Sequence, residues 1–165
     1  MFFLRFGLVF SLCAAAGNVF AMGNLETNVY NSALIGKAAP NLTLPKTDGT
    51  SGNIVSSDHT KKVLVFWATW CPHCREELEH INGQLAMIEA KGIKIVLVDI
   101  GETVDEVKAY LTQHKINMPS FIDEENALQE PYDLVGVPYV VFVDENGIVR
   151  YDTHGFPSNY EDHFK

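Results

Sequence analysis

Residues 61–78 read KKVLVFWATWCPHCREEL, and this stretch decides the fold. Its first half is a run of strand-forming residues that are apolar at consecutive positions, which is typical of a central strand buried on both faces. Beyond the two cysteines the apolar residues follow a helical spacing, at Leu78, Ile81, Leu85 and Ile88. Pro72 suits the first turn of a helix, where its missing N–H costs nothing. The stretch predicts a strand that leads directly into a helix, with Cys71 and Cys74 at the helix start.

The remaining chain predicts further strands and helices in alternation. A weakly alternating stretch that breaks at Asp48-Gly49 predicts a short hairpin before the main sheet. The later elements are a buried strand at 93–100, a helix capped by Thr103, a strand at 119–123, a helix at Glu125–Tyr132, two strands at 138–144 and 147–153 joined by a turn, and a short final helix after Pro157. Two buried strands separated by a long helix imply a parallel crossover, so we expect an α/β fold with one mixed central sheet flanked by helices. Because the last helix is short, we expect that end of the chain to be less well packed.

Composition and the N-terminus indicate an exported single domain. The 165 residues suffice for one domain, and the net charge of −9 argues against a nucleic-acid partner. Arg5 precedes an apolar run, and Val19 and Ala21 occupy the −3 and −1 positions of a signal-peptidase site. We therefore predict a signal peptide at 1–21, a lead-in segment at 22–34 and one domain at 35–165. The alternative is an uncleaved membrane anchor, because 6–23 carries no charge.

The cysteine pair has three possible uses. Export would remove Cys13 with the signal peptide and leave Cys71 and Cys74 in an oxidising compartment. Structural zinc requires four ligands, and neither His73 nor His80 completes a standard ligand spacing. A static disulfide would close a very short loop and remove little entropy from the unfolded chain. Redox chemistry remains the best interpretation, because a helix N-terminus stabilises the thiolate that attacks a disulfide, and a cysteine one turn later can resolve the product.

The motifs resemble those of the TlpA/ResA-like exported thiol-disulfide oxidoreductases, which have a thioredoxin fold. The resemblance runs from about Ile35 to Tyr151 and rests on GKAAPNLTL at 36–44, on the quoted stretch at 61–78, and on INMPSFIDEENALQEPYDLVGVPYVVFVDENGIV at 116–149. It implies a thioredoxin fold with an N-terminal β-hairpin and an inserted strand and helix segment. It also implies dithiol-disulfide exchange with protein substrates and no cofactor.

The resemblance also assigns roles to individual residues. Cys71 matches the nucleophile of the family and Cys74 its resolving cysteine. Val137-Pro138 matches the loop whose proline is cis and faces the disulfide, although a trans proline that opens an edge strand is the alternative. Trp70 matches a tryptophan of the docking surface, whereas we assign Trp67 to the core.

Six further polar residues are interpreted from their positions in the chain. Glu77 falls where ResA-like members have a functional glutamate, which would tune or deprotonate Cys74; the alternative is a solvated helix face shared with Glu76 and Glu79. We interpret Asp99 as a polar residue at the end of a strand. His59, His114, His154 and His163 show no spacing that suggests a site, and we assign them to the surface.

The redox direction rests on the residues between the cysteines. The Pro72-His73 dipeptide is that of the strong oxidant DsbA, and His73 beside the Cys71 thiolate would lower its pKa. We therefore expect a redox potential above that of thioredoxin, although a membrane donor could keep the protein reduced.

Alternative functions and partners complete the predictions. A thioredoxin-like peroxidase is one alternative, although FWATW does not match the peroxidatic Pro-x-x-x-Thr-x-x-Cys setting. A copper-handling or interaction module is the other, for which His73 and His154 are the candidate residues. We predict a monomer without metal or other cofactor that acts on protein thiols and disulfides, in cytochrome c maturation or in disulfide repair.

Overall fold

The computed structural model describes residues 33–165. The predicted signal peptide at 1–21 and nearly all of the predicted lead-in segment at 22–34 therefore lie outside the described residues. Within the described part of the chain, no helix is both long enough and apolar enough to cross a bilayer.

A five-stranded mixed sheet forms the centre of the domain. Its strands are β3 (Lys61–Trp67), β4 (Ile93–Ile100), β5 (Ser120–Asp123), β6 (Tyr139–Val143) and β7 (Val149–Thr153). Their order across the sheet is β5-β4-β3-β6-β7, in which β3, β4 and β5 are parallel while β6 and β7 are antiparallel to their neighbours. As its unbroken apolar run predicts, β3 is the central strand, and its residues from Lys62 to Trp67 are all buried.

The predicted hairpin precedes this sheet. Strands β1 (Thr43–Pro45) and β2 (Ser51–Asn53) pair in antiparallel fashion. In their turn the Asp48 carboxylate accepts hydrogen bonds from the N–H and the hydroxyl of Thr50. Gly49 adopts a φ of +84°, which a residue with a Cβ rarely tolerates. The Asp48-Gly49 pair therefore sets this turn, as the sequence predicts.

Two α-helices follow the parallel strands. Helix α1 (Pro72–Ala90) begins with Pro72 and buries the predicted face of Leu78, Ile81 and Ile88. Helix α2 (Val104–Gln113) begins with the predicted capping box, in which the Thr103 hydroxyl accepts the N–H of Glu106 and the Glu106 carboxylate accepts the N–H of Thr103.

The core lies on both faces of the sheet. On one face, Val63, Val65 and Trp67 of β3 pack against α1 and α2. On the other face, Phe66 packs against Tyr132, with ring centroids 4.7 Å apart. Tyr132 also donates a hydrogen bond to the Pro40 carbonyl at 2.6 Å, which ties this side to the segment before the hairpin.

The helix predicted at Glu125–Tyr132 is wrong. The segment consists of consecutive turns, and Asn126 and Asp133 have φ angles of +55° and +50°, which no α-helix accommodates. The Asp123 carboxylate accepts the N–H groups of Ala127 and Leu128 at 2.9 and 2.8 Å. This side-chain cap satisfies the donors that a regular helix would bond within its own backbone.

The chain ends in a 3-10 helix at Tyr160–Phe164. Tyr160 and Phe164 are both buried, and the Phe164 ring lies 5.3 Å from Phe142 of β6. The expectation of a less well packed C-terminal end is therefore wrong, because two aromatic side chains anchor even this short helix to the sheet.

Candidate active site

The two cysteines lie where the central strand meets α1. Cys71 is the N-cap residue of α1, and a disulfide joins it to Cys74, with the Cα atoms 5.2 Å apart. Cys71 is 5% exposed, whereas Cys74 is fully buried. Of the two sulfurs, that of Cys71 is therefore the one that a macromolecule can reach.

The helix start supplies the electrostatics of this pair. The Sγ atom of Cys71 accepts the N–H of Cys74 at 3.2 Å. N–H groups at a helix N-terminus have no partner within the helix, and the positive end of the helix dipole lies there. In the reduced protein, the same N–H groups and helix dipole would stabilise a Cys71 thiolate.

The loop before β6 faces the disulfide. The carbonyl oxygen of Val137 lies 3.5 Å from the Sγ atom of Cys71, and the Val137–Pro138 peptide bond is cis. Both residues are partly exposed, so their backbone borders the sulfur at the protein surface.

Glu77 lies on α1 in a cleft of about 500 Å³ that Val137, Pro138 and His154 also line. Its side chain is half-buried, and its carboxylate accepts the N–H of Phe156. Burial raises the pKa of Glu77, and this effect is opposed by the Phe156 N–H and by His80. Glu77 therefore differs from the exposed Glu76 and Glu79 on the same helix.

His73 is exposed to solvent, whereas Cys71 and Cys74 on either side of it are buried. Its side chain is 84% exposed, and its Nδ1 atom lies 3.9 Å from the Glu76 carboxylate. It lines the outer part of the same cleft. Its influence on the Cys71 thiolate must therefore act through solvent, which weakens it.

The two tryptophans are separated as the sequence indicates. Trp67 is fully buried, and its Nε1–H donates to the Ser120 hydroxyl at 3.0 Å. Trp70 is 69% exposed and lines a second cleft, of about 350 Å³, with Leu134, Val135 and Val137. Both clefts are lined by Val137, whose carbonyl oxygen lies 3.5 Å from the Cys71 sulfur.

Two features near the site were missed from the sequence. His154 is exposed, as predicted for the surface, yet its Nδ1–H donates to the Pro138 carbonyl at 2.9 Å. Asp99 lies at the end of β4, as predicted, but it is fully buried, and it lies directly opposite Trp67 in the sheet register. The sequence feature that could have indicated the importance of Asp99 is its position at the end of a parallel strand next to the strand that precedes the cysteines.

Comparison with known proteins identifies the family. The AhpC/TSA family matches residues 35–152. The chain belongs to this family. It is 26% identical to the thiol-disulfide oxidoreductase ResA of Bacillus subtilis (strain 168) over 154 residues, which cover 89% of this chain and 81% of the relative. ResA of Bacillus thuringiensis subsp. konkukian (strain 97-27) is 27% identical over 144 residues, with 87% and 82% covered.

A solved structure supports the same assignment. A DsbE-like thiol:disulfide interchange protein from Chlorobium tepidum superposes with a TM-score of 0.68 at 26% identity, covering 76% of this chain and 88% of that one. The predicted thioredoxin fold and the resemblance to TlpA/ResA-like proteins are confirmed. The chain is a thiol-disulfide oxidoreductase of this type.

Among residues 33–165, no cluster of three or more histidine, cysteine, aspartate or glutamate side chains is arranged to hold a metal ion.

Proposed function

We propose that Cys71 is the attacking nucleophile and Cys74 the resolving cysteine of a dithiol-disulfide couple that acts on protein substrates. The observation that carries this proposal is the asymmetry of the pair at the start of α1. The Cys71 sulfur accepts a helix N–H and borders the surface, whereas Cys74 is fully buried.

In the reducing direction, the Cys71 thiolate attacks one sulfur of a substrate disulfide. A mixed disulfide forms and the other substrate sulfur leaves as a thiolate. The Cys74 thiolate then attacks the Cys71 sulfur, which releases the second substrate thiolate and leaves the Cys71–Cys74 disulfide. The two electrons gained by the substrate come from the two cysteines, and the reverse sequence oxidises a substrate dithiol.

Glu77 is the proposed base for Cys74. A buried thiol has a raised pKa and must lose its proton before it can resolve the mixed disulfide. Glu77 lies one helical turn after Cys74, and burial raises the pKa of its carboxyl group, which makes it a stronger base near neutral pH.

Substrate docks, in this proposal, as an extended segment along the Val137–Pro138 backbone. The Val137 carbonyl is beside the reactive sulfur and partly exposed, so a substrate N–H can bond to it. Trp70 provides an exposed apolar surface on one side of this segment. The proposed roles of Val137 and Pro138 are thus to orient the substrate disulfide, and that of Trp70 is to hold the substrate.

The cellular setting belongs to the same proposal. The predicted signal peptide at 1–21 supports function outside the cytoplasm, where a membrane redox donor would supply electrons to a monomeric domain. Cytochrome c maturation and general disulfide repair are the two candidate roles. Pro72 and His73 would set the redox potential.

Insulin reduction by the purified full chain tests the chemistry. We expect Cys71→Ser to abolish reduction, and Cys74→Ser to retain mixed disulfides with substrate proteins, because Cys71 can still attack and nothing resolves the product. Retained activity in Cys71→Ser would contradict the assignment. Peroxide turnover faster than insulin reduction would favour the peroxidase alternative, and stoichiometric copper binding that depends on His73 or His154 would favour the copper-handling alternative.

A further inference from the structure

Asp99 is a carboxylic acid in the core that the exchange chemistry does not use. It is fully buried, and among residues 33–165 no donor lies at normal hydrogen-bond distance and angle from either of its Oδ atoms. It lies on β4 opposite Trp67, on the sheet face that packs against α1 and α2. A charged carboxylate at such a position would be strongly destabilised, so its environment favours the protonated form.

Glu102 connects this region to the loop that carries the nucleophile. Its carboxylate accepts the N–H of Thr69 at 2.6 Å and also accepts the Thr69 hydroxyl. Thr69 lies two residues before Cys71 and directly before the exposed Trp70. Glu102 directly precedes Thr103, the N-cap residue of α2. Its two hydrogen bonds therefore connect the loop between β3 and α1 to the start of α2.

The carboxyl groups of Asp99 and Glu102 are close enough to interact directly. Burial raises the pKa of Asp99 to about 8, and Glu102 contributes as its hydrogen-bond partner and as a like charge. The Glu102 N–H acts in the opposite direction, and Glu106 of α2 adds a weaker like charge. Two carboxyl groups can bond to each other only when one of them holds a proton.

The neighbouring helices place further charged groups near this pair. Tyr110 of α2 interacts electrostatically with Arg75 and Glu79 of α1, and more weakly with Glu102. Burial is the main cause that raises the pKa of Tyr110, so the tyrosine is uncharged at neutral pH. Asp99 is fully buried whereas Glu102 is only partly buried, so Asp99 is the member of the pair that holds the proton.

We propose that Asp99 donates a hydrogen bond to Glu102, and that this acid pair is a positioning device for the loop at 69–71. The inference rests on the proposed role of Cys71 as nucleophile. With Asp99 protonated, Glu102 is held in place to accept both bonds from Thr69. With both groups charged, their repulsion displaces Glu102, the Thr69 bonds weaken, and Trp70 and Cys71 lose their fixed geometry.

The pair itself is tested by a carbon-13 NMR titration of the aspartate carboxyl groups in the full chain. We expect the titration curve of Asp99 to have its inflection near pH 8, well above the ordinary pKa of an aspartate, which is 3.8. In Glu102→Gln, which removes the like charge, this inflection should shift to lower pH. An Asp99 inflection near pH 4 would overturn the proposal, and so would an inflection that Glu102→Gln leaves unchanged. This readout needs no activity and uses the wild-type protein first, so a variant that fails to fold does not prevent the test.

The positioning role is tested by the rate at which the reduced protein attacks a small aromatic disulfide, divided by the thiolate fraction measured from ultraviolet absorbance. In the wild type this normalised rate should decline above about pH 8, where Asp99 ionises. Asp99→Asn should keep the rate and lose the decline, because the asparagine amide still donates to Glu102. Thr69→Val should lower the rate about tenfold at every pH, because it removes one bond to Glu102.

Asp152→Asn is the matched control. Asp152 is also buried, but it lies opposite Val141 on the other face of the sheet, so the pH profile should remain that of the wild type. A decline that persists in Asp99→Asn would overturn the positioning role. Failure of the proposed function is recognised separately, since Cys71→Ser would then still react while the NMR titration continued to report on the acid pair.

Discussion

The carbonyl oxygen of Val137 lies 3.5 Å from the Sγ atom of Cys71, across 66 positions of sequence. This proximity follows from strand order. Strand β6 pairs with β3 in antiparallel fashion, and Tyr139 at the start of β6 is opposite Phe66 near the end of β3. The loop that leads into β6 and the loop that leaves β3 therefore meet at the same end of the sheet, beyond the carboxyl end of β3.

This arrangement places the reactive sulfur beside the backbone of Val137, which lines two clefts. Trp70 lines one of these clefts and Glu77 lines the other. The functions of the two clefts can be separated experimentally, because one would act on substrate binding and the other on proton transfer.

Replacement of Trp70 by alanine should weaken the binding of protein substrates. Because the side chain is 69% exposed, it adds little to stability and offers apolar area to a partner. We expect KM for a protein disulfide to rise about tenfold, with kcat and the free energy of unfolding nearly unchanged. Met87→Ala is the control, since Met87 is also exposed and apolar but lies far along α1. An equal rise in KM for both variants would exclude a specific role for Trp70.

Replacement of Glu77 by glutamine should slow the resolution step. If Glu77 accepts the Cys74 proton, its loss should reduce the rate of this step about a hundredfold while the initial attack by Cys71 is unaffected. The mixed disulfide should then accumulate, which quenched-flow mass spectrometry would detect. In the wild type, the rate of resolution should rise with pH through the raised pKa of Glu77.

Glu79→Gln is the control for this experiment. Glu79 is an exposed glutamate on the same helix that pairs with His114. If both variants behave like the wild type, Glu77 does not act as the base for Cys74.

Local patterns allowed most of the fold to be predicted. The buried strand at 61–67, the helix at 72–90 and the Thr103 capping box each depend on residues near one another in sequence. The segment at 125–132 did not follow its pattern, because the Asp123 carboxylate and left-handed residues such as Asn126 produce turns instead. The composition of this segment does not distinguish a helix from a series of turns.

The candidate site was predictable where a motif is contiguous. Cys71 and Cys74 were found from their spacing and their position after a strand. The contacts of Glu77 with Phe156 and of His154 with Pro138 join segments that are distant in sequence. The burial of Asp99 likewise depends on the register between β3 and β4, which the sequence does not specify residue by residue.

Replacement of His73 by alanine should lower the redox potential slightly. A charged or hydrogen-bonding imidazole stabilises a nearby thiolate and so makes the couple more oxidising. The side chain is 84% exposed and is paired with Glu76, so solvent weakens this effect. We expect a wild-type potential above the roughly −270 mV of thioredoxin and a decrease of less than about 30 mV in the variant.

A glutathione redox titration measures both values, with His80→Ala as the control because His80 is an exposed histidine bonded to Gln84 on the same helix. A wild-type potential at or below that of thioredoxin, unchanged in His73→Ala, would show that the Pro72-His73 dipeptide does not determine the redox potential here.

Replacement of Asp99 by asparagine should increase stability by an amount that grows with pH. The folded-state pKa of Asp99 is raised to about 8 from an ordinary value of 3.8, mainly by burial. Between these values the folded protein retains a proton that the unfolded chain has lost, so the stability of the wild type falls as pH rises. The slope from this group approaches about 1.4 kcal/mol per pH unit, and it disappears above the folded-state pKa. Denaturant unfolding of the oxidised protein between pH 5 and pH 9, at intervals of about one unit, gives the difference between variant and wild type, because groups that do not interact with Asp99 titrate alike in both. The difference should widen up to about pH 8 and then remain constant. A constant difference across the whole range would mean that Asp99 is already charged in the folded protein, and Glu102 would then have to be held by Thr69 alone.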